Sequence, residues 1–348
     1  MRVGIIEDVL PSGTGIGEYG RRLLEGLRAR GIPADRLFLP RPRVPFGDAV
    51  NHVIRLPLYL KGREGDYDIM HATSPITGLS FPLVRRTRVL TWHDLVSILC
   101  PNSGAAWHVK AFGPAFFRII ARSADVIIAV STQTRQELVM HLGVPPDKVV
   151  VINEGIGEQF RPLPREKRDP RIIGYIGAFI ARKRVDLLVR AFHHLVRKHP
   201  GLDVRMMIWG RKAYEYPRLA EMVEVLGLGG RVEFPGFVPE DKMAEVYNSF
   251  DVFAYASEWE GFGFPILEAQ RCGIPVVMRR EAHIPSEVSE CCLKAESIED
   301  MADKMLCLLT DAALREEVSA RGLEYSRRFT WEKNVEDTVK VYETVMRR

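Results

Sequence analysis

Short apolar runs alternate with amphipathic stretches along most of the chain. The runs are rich in Val and Ile, as buried strands are, whereas residues 185–199 carry apolar side chains at the three- and four-residue spacing of a helix. This alternation predicts parallel βαβ units. The predicted strands are residues 3–6, 37–39, 69–71, 89–92, 126–130, 149–152, 172–176, 204–209, 232–234, 252–254 and 276–278. The predicted helices include residues 17–30, 113–123, 185–199, 218–226, 241–249 and 265–272.

A stretch rich in proline and charge, residues 161–170, interrupts the alternation. Such a composition is typical of a linker, and a chain of 348 residues is long enough for two domains. We therefore predict an α/β protein with two doubly wound, Rossmann-like domains, residues 1–162 and 163–328. Sheets of this kind bind ligands at the carboxyl ends of their strands, so the two sheets should face a common cleft there.

Composition narrows the class of protein without naming a function. The chain has 46% hydrophobic and 27% charged residues, and it has no apolar run long enough to span a membrane. Its start is read as a first strand and not as a signal peptide. The five cysteines are odd in number and irregularly spaced, which favours neither a disulfide framework nor a zinc site. We therefore expect the protein to be located in a reducing cytoplasm.

The net charge of +4 is unevenly distributed. Residues 21–63 hold ten basic residues and three acidic ones. Such a local excess favours an anionic partner, although solvated helix faces would explain it equally well. No nucleic-acid partner is expected.

The most informative stretch is residues 257–277, in which Glu260 and Glu268 are separated by seven residues. Gly261 and Gly263 predict a tight loop that leads into a helix at Pro265. The free N–H groups at such a helix start attract anions, and carboxylates accept hydrogen bonds from hydroxyl groups. Two solvated glutamates beside a helix start are the alternative reading for either residue alone.

This stretch resembles the E-x7-E signature of glycosyltransferase family 4. The resemblance implies the GT-B fold, a retaining transfer without a metal, and a last helix, residues 329–348, that returns to the first domain. It implies that residues 1–162 bind the acceptor and that residues 163–328 bind a nucleotide-sugar. Glu260 would contact hydroxyls of the donor sugar and Glu268 the ribose.

Other segments extend the resemblance over most of the chain. The segment 91–101 resembles one in which a histidine, here His93, approaches the donor sugar, while Asp94 is read as a helix cap. The segment 174–192 resembles a phosphate-binding turn, in which Arg182 and Lys183 would stabilise the charge of a diphosphate leaving group. One departure is Ala178, where many members carry arginine, so Arg182 is a candidate for the missing charge. The remaining residues assigned to donor binding are Gly15, Gly17, Phe237, Val238, Gly261, Phe262, Gly263 and Phe264.

Two patterns point to other functions. Gly15-x-Gly17-x-x-Gly20 with Asp35 matches the dinucleotide fingerprint of an NAD(P)-dependent oxidoreductase, but Asp35 precedes the predicted strand instead of ending it. Asp66 and Asp68 mimic a metal-binding pair, at the wrong end of a strand. A third alternative is a protein that binds a nucleotide-sugar without turnover.

The motifs alone do not identify the donor or the acceptor. The segments around His93 and Glu260 look most like mannosyltransferases, so GDP-mannose is favoured over UDP-glucose, with no cofactor and no metal. The acceptor is expected to be a glycan, a lipid-linked sugar or a small molecule. Residues 51–63 place apolar side chains beside Arg55, Lys61 and Arg63, which suits either the inner face of a membrane or a buried helix whose charges face water.

Overall fold

The structure is a computed structural model that describes residues 1–8, 15–40, 50–164 and 170–347. It divides into two compact units. The first unit consists of Met1–Ile98, Ala106–Gly155 and Phe329–Arg348, and the second of Leu99–Ala105 and Ile156–Arg328. Half of the predicted linker, residues 165–169, lies outside the described residues, and so do residues 13–14, which precede the Gly15-x-Gly17-x-x-Gly20 motif.

The first unit contains a six-stranded parallel sheet in the order β2-β1-β3-β4-β5-β6. Its strands are β1 (Val3–Ile6), β2 (Ala34–Leu37), β3 (Ile69–Ala72), β4 (Thr87–Trp92), β5 (Val126–Ala129) and β6 (Val149–Val151). Its helices are α1 (Gly15–Ala29), α2 (Leu56–Arg63), α3 (Val96–Leu99), α4 (Trp107–Ser123) and α5 (Thr132–Leu142). A π-helical turn, Asn51–Arg55, precedes α2, and a 3₁₀ segment, Thr77–Leu83, precedes β4.

The second unit repeats this architecture with the order β12-β11-β10-β7-β8-β9, again all parallel. Its strands are β7 (Arg171–Ile176), β8 (Val204–Trp209), β9 (Val232–Gly236), β10 (Val252–Tyr255), β11 (Val276–Arg279) and β12 (Leu293–Ala295). The helices that follow are α6 (Val185–Lys198), α7 (Tyr216–Val225), α8 (Met243–Asn248), α9 (Phe264–Arg271), α10 (Ser286–Ser289), α11 (Ile298–Thr310), α12 (Ala312–Ser326) and α13 (Trp331–Met346).

Each sheet has one point at which the strand order reverses. In the first sheet this switch point lies between β1 and β3, and in the second it lies between β7 and β10. Loops that leave neighbouring strands in opposite directions open a crevice at such a point, which is where sheets of this kind bind ligands. A ligand site of the second unit is therefore expected at the residues that follow β7 and β10.

The last helix, α13, belongs to the first unit. Trp331, Val335 and Tyr342 pack into the core around Val3 and Ile5 of β1. The start of α13 also lies against Gly155, where a Cβ atom would meet the Trp331 nitrogen at 2.4 Å. The predicted return of the C-terminal helix to the first domain is confirmed.

Two predicted boundaries were wrong in the first unit. The second strand covers residues 34–37 and not 37–39, because Ala34 pairs with Val3 and Leu37 with Ile6. Helix α4 begins at Trp107 and not at Gly113, since it runs through Gly113 and Pro114 without ending. In the described part of the chain, no helix is both long enough and apolar enough to cross a membrane.

Candidate functional site

The charged candidates of the second unit meet at its switch point. Arg182 and Lys183 lie in a 3₁₀ turn, Ala181–Lys183, that follows β7, and Glu260 lies in the loop after β10. Glu258 holds the two loops together, because its backbone N–H donates to the Arg182 carbonyl at 2.8 Å. Lys183 and Glu260 are 77 positions apart in sequence, and the parallel sheet brings them into direct contact.

Glu260 is the centre of this cluster. Its Oε1 accepts hydrogen bonds from Lys183 Nζ at 2.5 Å, Ser257 Oγ at 2.5 Å and Tyr255 OH at 2.8 Å. Its Oε2 accepts from Arg182 Nη1 at 3.1 Å. Burial alone would raise the pKa of this carboxyl, but Lys183 and Arg182 lower it to about 2. Glu260 is therefore ionised at neutral pH.

Both cations are thus held by a carboxylate of the protein. Lys183 is only 8% exposed, and its Nζ also donates to Tyr255 OH at 3.0 Å. Arg182 donates a second hydrogen bond, to the Trp259 carbonyl at 2.9 Å. Two positive side chains and one negative one leave the cluster with one positive charge in excess. Fixed positive charge of this kind attracts an anionic group and stabilises negative charge that develops on it.

The turn that presents Lys183 ends in an unusual conformation. Arg184 has φ 48° and ψ 41°, and it is the one non-glycine residue with positive φ in the described part of the chain. A side chain in this region costs roughly 1–2 kcal/mol. The Arg184 guanidinium pairs with Asp186 in the first turn of α6, which begins one residue later. The strained residue thus fixes where the turn stops and the helix starts.

Glu268 behaves differently from Glu260. It lies in α9, is half-buried, and accepts a hydrogen bond from Tyr247 OH at 2.7 Å. Burial raises the pKa of the Glu268 carboxyl to about 7, although the Tyr247 hydroxyl acts in the opposite direction. The two glutamates therefore lie in different environments, one ionised and the other near the midpoint of its titration.

The predicted glycine loop adopts the conformation that its sequence requires. Gly263 has φ 107° and is the N-cap of α9, with Pro265 in the first turn. A Cβ atom at Gly263 would be both strained and within 3.3 Å of Val288. Phe262 is buried and its ring packs edge-on against Phe264 at 5.4 Å.

Two of the residues assigned to donor binding, Phe237 and Val238, have opposite environments. Phe237 is 62% exposed, with the Arg211 guanidinium 6.0 Å from its ring centre. Val238 is 2% exposed and belongs to the core. An exposed aromatic ring offers a surface on which a planar base can stack, whereas only the backbone of Val238 is left for a ligand.

In the first unit, His93 lies just beyond the end of β4 and is 9% exposed. Its Nδ1 is 3.0 Å from Glu154 Oε1 and its Nε2 is 2.9 Å from the Thr73 carbonyl. Both neighbours are oxygen atoms that can accept hydrogen bonds, an arrangement that favours protons on both ring nitrogens. Burial opposes this charge, but the Glu154 carboxylate outweighs burial and raises the pKa of His93. The surroundings of His93 therefore favour the charged form of its ring. Asp94 caps α3, as predicted, because its Oδ1 accepts from the Val96 N–H at 3.0 Å.

The remaining candidates lie in the first unit. Gly15 and Gly17 form the first turn of α1 instead of a loop before it. Asp35 is the second residue of β2 and pairs with Arg2 at 2.8 Å, so it does not end that strand as a ribose-binding acid would. Asp66 pairs with Arg63, and Asp68 accepts from the Arg2 N–H; both precede β3, at the amino end of the sheet.

Sequence reasoning missed several partners of the candidate residues. They are Glu154 beside His93, Tyr247 beside Glu268, and Ser257 and Tyr255 beside Glu260. Tyr255 and Glu154 do follow the pattern of polar groups at the carboxyl ends of strands. Tyr247, in α8, carries no such signal, because its ring belongs to the core.

Both halves of the chain match known families. Residues 18–160 match Glycosyltransferase Family 4, and residues 170–311 match Glycosyl transferases group 1. The O-antigen chain mannosyltransferase B of Escherichia coli is 27% identical over 266 residues, which cover 73% of this chain and 69% of that protein. The D-inositol 3-phosphate glycosyltransferase of Kribbella flavida is 27% identical over 307 residues, covering 80% and 72%.

Solved structures show the same fold at lower identity. Sucrose-phosphate synthase from Thermosynechococcus elongatus superposes with a TM-score of 0.80 at 19% identity, covering 99% of this chain and 98% of that one. The Anabaena protein HepE, solved in complex with UDP and glucose, gives 0.74 at 17% identity and covers 99% of both chains. Together with the two parallel sheets, these similarities show the GT-B architecture.

Proposed function

Since this chain belongs to glycosyltransferase family 4 and has the GT-B fold, we propose that it moves a hexose from a nucleotide-sugar to an acceptor with retention of configuration. The cluster of Arg182, Lys183 and Glu260 is the observation that carries the proposal. Mannose is the favoured hexose, which the similarity to a mannosyltransferase supports. GDP-mannose is accordingly favoured over UDP-glucose.

The donor diphosphate binds where positive charge is already fixed. When the diphosphate binds, Arg182 and Lys183 donate some of their hydrogen bonds to phosphate oxygens instead of to Glu260. Glu260 then has lone pairs available for hydroxyls of the donor sugar, and Ser257 and Tyr255 keep its carboxylate in place. Glu268 accepts hydrogen bonds from the ribose hydroxyls. The resemblance assigns His93 to the donor sugar as well, and its raised pKa favours the charged form of the ring.

The reaction needs no residue that acts as a nucleophile. The bond between the anomeric carbon and the phosphate oxygen breaks, and the acceptor oxygen bonds to the same face of the sugar. The proton of the acceptor hydroxyl passes to the departing phosphate oxygen. Arg182 and Lys183 stabilise the charge that develops on this leaving group, so the reaction proceeds without a metal or a cofactor.

The acceptor is proposed to be a glycan or a lipid-linked sugar, and the place of action the cytoplasm or the inner face of its membrane. Calorimetry with GDP, UDP and ADP, and then with their sugar conjugates, tests the donor. We expect GDP and GDP-mannose to bind most tightly. Preferred binding of UDP-glucose would replace mannose by glucose, and binding of NAD(P) in place of all of them would overturn the proposal.

Stereochemistry is tested separately, on the product. Proton NMR of the first product formed from an α-linked donor should show the α-anomer, and a β-linked product would exclude retention. Slow hydrolysis of the donor in the absence of an acceptor would exclude a protein that only binds nucleotide-sugars.

A further inference from the structure

One surface of the first unit combines exposed apolar side chains with positive charge alone. It consists of residues 51–63, the 3₁₀ segment Thr77–Leu83 and helix α4, and we call it the basic apolar face. The 3₁₀ segment packs against both other parts, so the three are neighbours in the fold. They contain six basic residues and no acidic one, although the whole chain has 49 basic and 45 acidic residues. The six are Arg55, Lys61, Arg63, Lys110, Arg118 and Arg122.

Helix α4 carries the most exposed apolar side chains of this face. Trp107, Phe112 and Ile119 are 75%, 65% and 62% exposed. Phe112, Phe116 and Ile119 recur at the spacing that places them on one side of a helix. The buried residues of α4 are Gly113, Ile120 and Ala121. The helix therefore turns one apolar side to the core and a second one, rich in aromatic residues, to the solvent.

The segment 51–63 adds to the same face. Val53, Ile54 and Leu58 are exposed, whereas Leu56 and Leu60 are buried. Of the two alternatives for this segment, the buried helix with only its charges in water does not agree with these exposed apolar side chains. Counting Leu83 of the 3₁₀ segment, eight of the 17 exposed large hydrophobic side chains in the described residues lie on this face. Apolar side chains gathered in this way mark a binding surface, whereas singly scattered ones do not.

We propose that the basic apolar face docks on the surface of an anionic lipid bilayer. Aromatic and aliphatic side chains would enter the boundary between headgroups and acyl chains, and the six cations would lie near lipid phosphates. This inference deepens the proposed function, which names the inner face of the membrane as one place of action, although docking itself requires neither donor nor acceptor. The positive charge favours a bilayer over a second copy of the chain, because a symmetric dimer would place the same six cations against each other.

Trp107 makes the proposal directly measurable. Among the five tryptophans it is the most exposed, since Trp92 and Trp331 are buried and Trp209 and Trp259 half-buried. Vesicles of phosphatidylcholine mixed with phosphatidylglycerol should shift its emission to shorter wavelength. Brominated lipids should quench it. Trp107→Phe should abolish both signals. Phosphatidylcholine alone, or high salt, should weaken them strongly.

Two variants test which side chains are responsible, with vesicle flotation as the readout. Phe112→Ser combined with Ile119→Ser should lower the partition coefficient at least about tenfold, because two apolar side chains lose their contact with lipid. Val225→Ser is the control, since this side chain is 78% exposed and lies at the end of α7 in the second unit. Lys61→Glu combined with Arg122→Glu should abolish binding to anionic vesicles. Arg190→Glu combined with Arg197→Glu, on α6, should not.

Three outcomes would overturn the proposal. One is the absence of binding to anionic vesicles at low salt, and another is binding that the face variants do not change. The third is a dimer in sedimentation experiments that Phe112→Ser and Ile119→Ser dissociate, which would assign the face to a second copy. Nucleotide binding by the same variants should equal that of the wild type, so failure of docking and failure of the proposed function are told apart.

Discussion

Glu260 and Glu268 are chemically different once the chain is folded. Glu260 is surrounded by two cations and two hydroxyl groups, which lower its pKa to about 2. Glu268 has a single hydroxyl partner, and burial raises its pKa to about 7. The first is a permanent charge that organises the cations, and the second is a carboxyl group whose charge depends on pH near neutrality. Each property leads to its own test.

Replacing Lys183 should affect turnover far more than folding. Lys183→Ala is expected to lower turnover by roughly two to three orders of magnitude, the effect of losing one preorganised group that stabilises a leaving group. Arg182 still neutralises Glu260, so the variant should fold, which thermal unfolding checks. Lys242→Ala, an exposed lysine of the second unit, is the control. Wild-type turnover in Lys183→Ala would remove this residue from the proposed mechanism.

Arg182 and Ala178 are tested together. If Arg182 supplies the charge that other family members place at position 178, Arg182→Ala should be about as severe as Lys183→Ala. Adding Ala178→Arg to that variant should then restore part of the turnover. If Arg182→Ala keeps the turnover of the wild type, Lys183 is the cation on which the proposal rests.

The charge of Glu268 should make nucleotide binding depend on pH. A carboxylate accepts hydrogen bonds from two ribose hydroxyls better than its protonated form, so affinity should rise about tenfold as pH rises through 7. Glu268→Gln should remove this rise. Because nucleotide phosphates also titrate, the difference between wild type and Glu268→Gln is the quantity to measure by calorimetry. Equal slopes for both proteins would contradict the assignment to the ribose.

Glu154 should control the protonation of His93. In the wild type at neutral pH, ¹⁵N NMR of the ring should show two protonated nitrogens, and in Glu154→Gln the ring should become neutral because its counter-charge is lost. His71 is an internal control, since burial lowers its pKa to about 3. The raised pKa of His93 contributes stability below about pH 6.5 that is lost as pH rises through the folded-state value. A neutral His93 in the wild type would refute the imidazolium.

At the level of elements, a buried polar chain fastens α13 to the first sheet. Tyr342 OH is 2.5 Å from His71 Nδ1, and His71 Nε2 is 2.7 Å from Thr91 Oγ1. Thr91 Oγ1 is in turn 2.9 Å from the Tyr19 OH of α1. Helix α13, strands β3 and β4 and helix α1 are thereby joined through side chains that water does not reach. The position of the last helix depends on hydrogen bonds as well as on apolar packing.

Tyr342→Phe should weaken this attachment. It leaves a ring nitrogen of His71 buried without its partner, which costs about 1–3 kcal/mol of unfolding free energy, measured with urea. Tyr325→Phe is the matched control, because its hydroxyl bonds Glu290 in an exposed position and should matter little. The lowered pKa of His71 adds stability above about pH 6.5 that is lost as pH falls towards 3. Equal stabilities of the two variants would show that packing alone holds α13.

Sequence patterns predicted which helices and strands exist better than the residues at which they begin and end. Buried strands such as β5 and β10 are continuous apolar runs, and the pattern is sufficient to find them. Strand β2 begins with Ala34, Asp35 and Arg36, so its register depends on pairing with β1 and not on its own hydrophobicity. Strand β12 has three residues and was not predicted. The site was predicted where a motif names the residue, whereas Glu154 and Tyr247 depend on contacts that only the fold creates.

At the level of the whole molecule, the fixed charges of the second unit replace a metal in the proposed mechanism. Activity should therefore survive excess EDTA within a factor of about two. Asp66 pairs with Arg63 and Asp68 accepts from the Arg2 N–H, both at the amino end of the first sheet and not at the carboxyl end where such sheets bind ligands. Loss of activity on chelation, restored by magnesium or manganese, would contradict this prediction. Apo-protein prepared by dialysis against chelator, assayed before and after metal addition, is the control.

The carboxylate of Glu260 also has a consequence for which anions the site accepts. An incoming anion must displace a counter-ion that is already in contact with both cations and fixed by Ser257 and Tyr255. Inorganic phosphate, with one phosphorus centre, gains little from that exchange. A diphosphate can engage both cations while its attached nucleoside and sugar bind elsewhere in the same unit. Under the proposed function, Glu260 should therefore disfavour binding of the abundant small anions of a cell, and it should contact both cations again when the nucleotide product leaves.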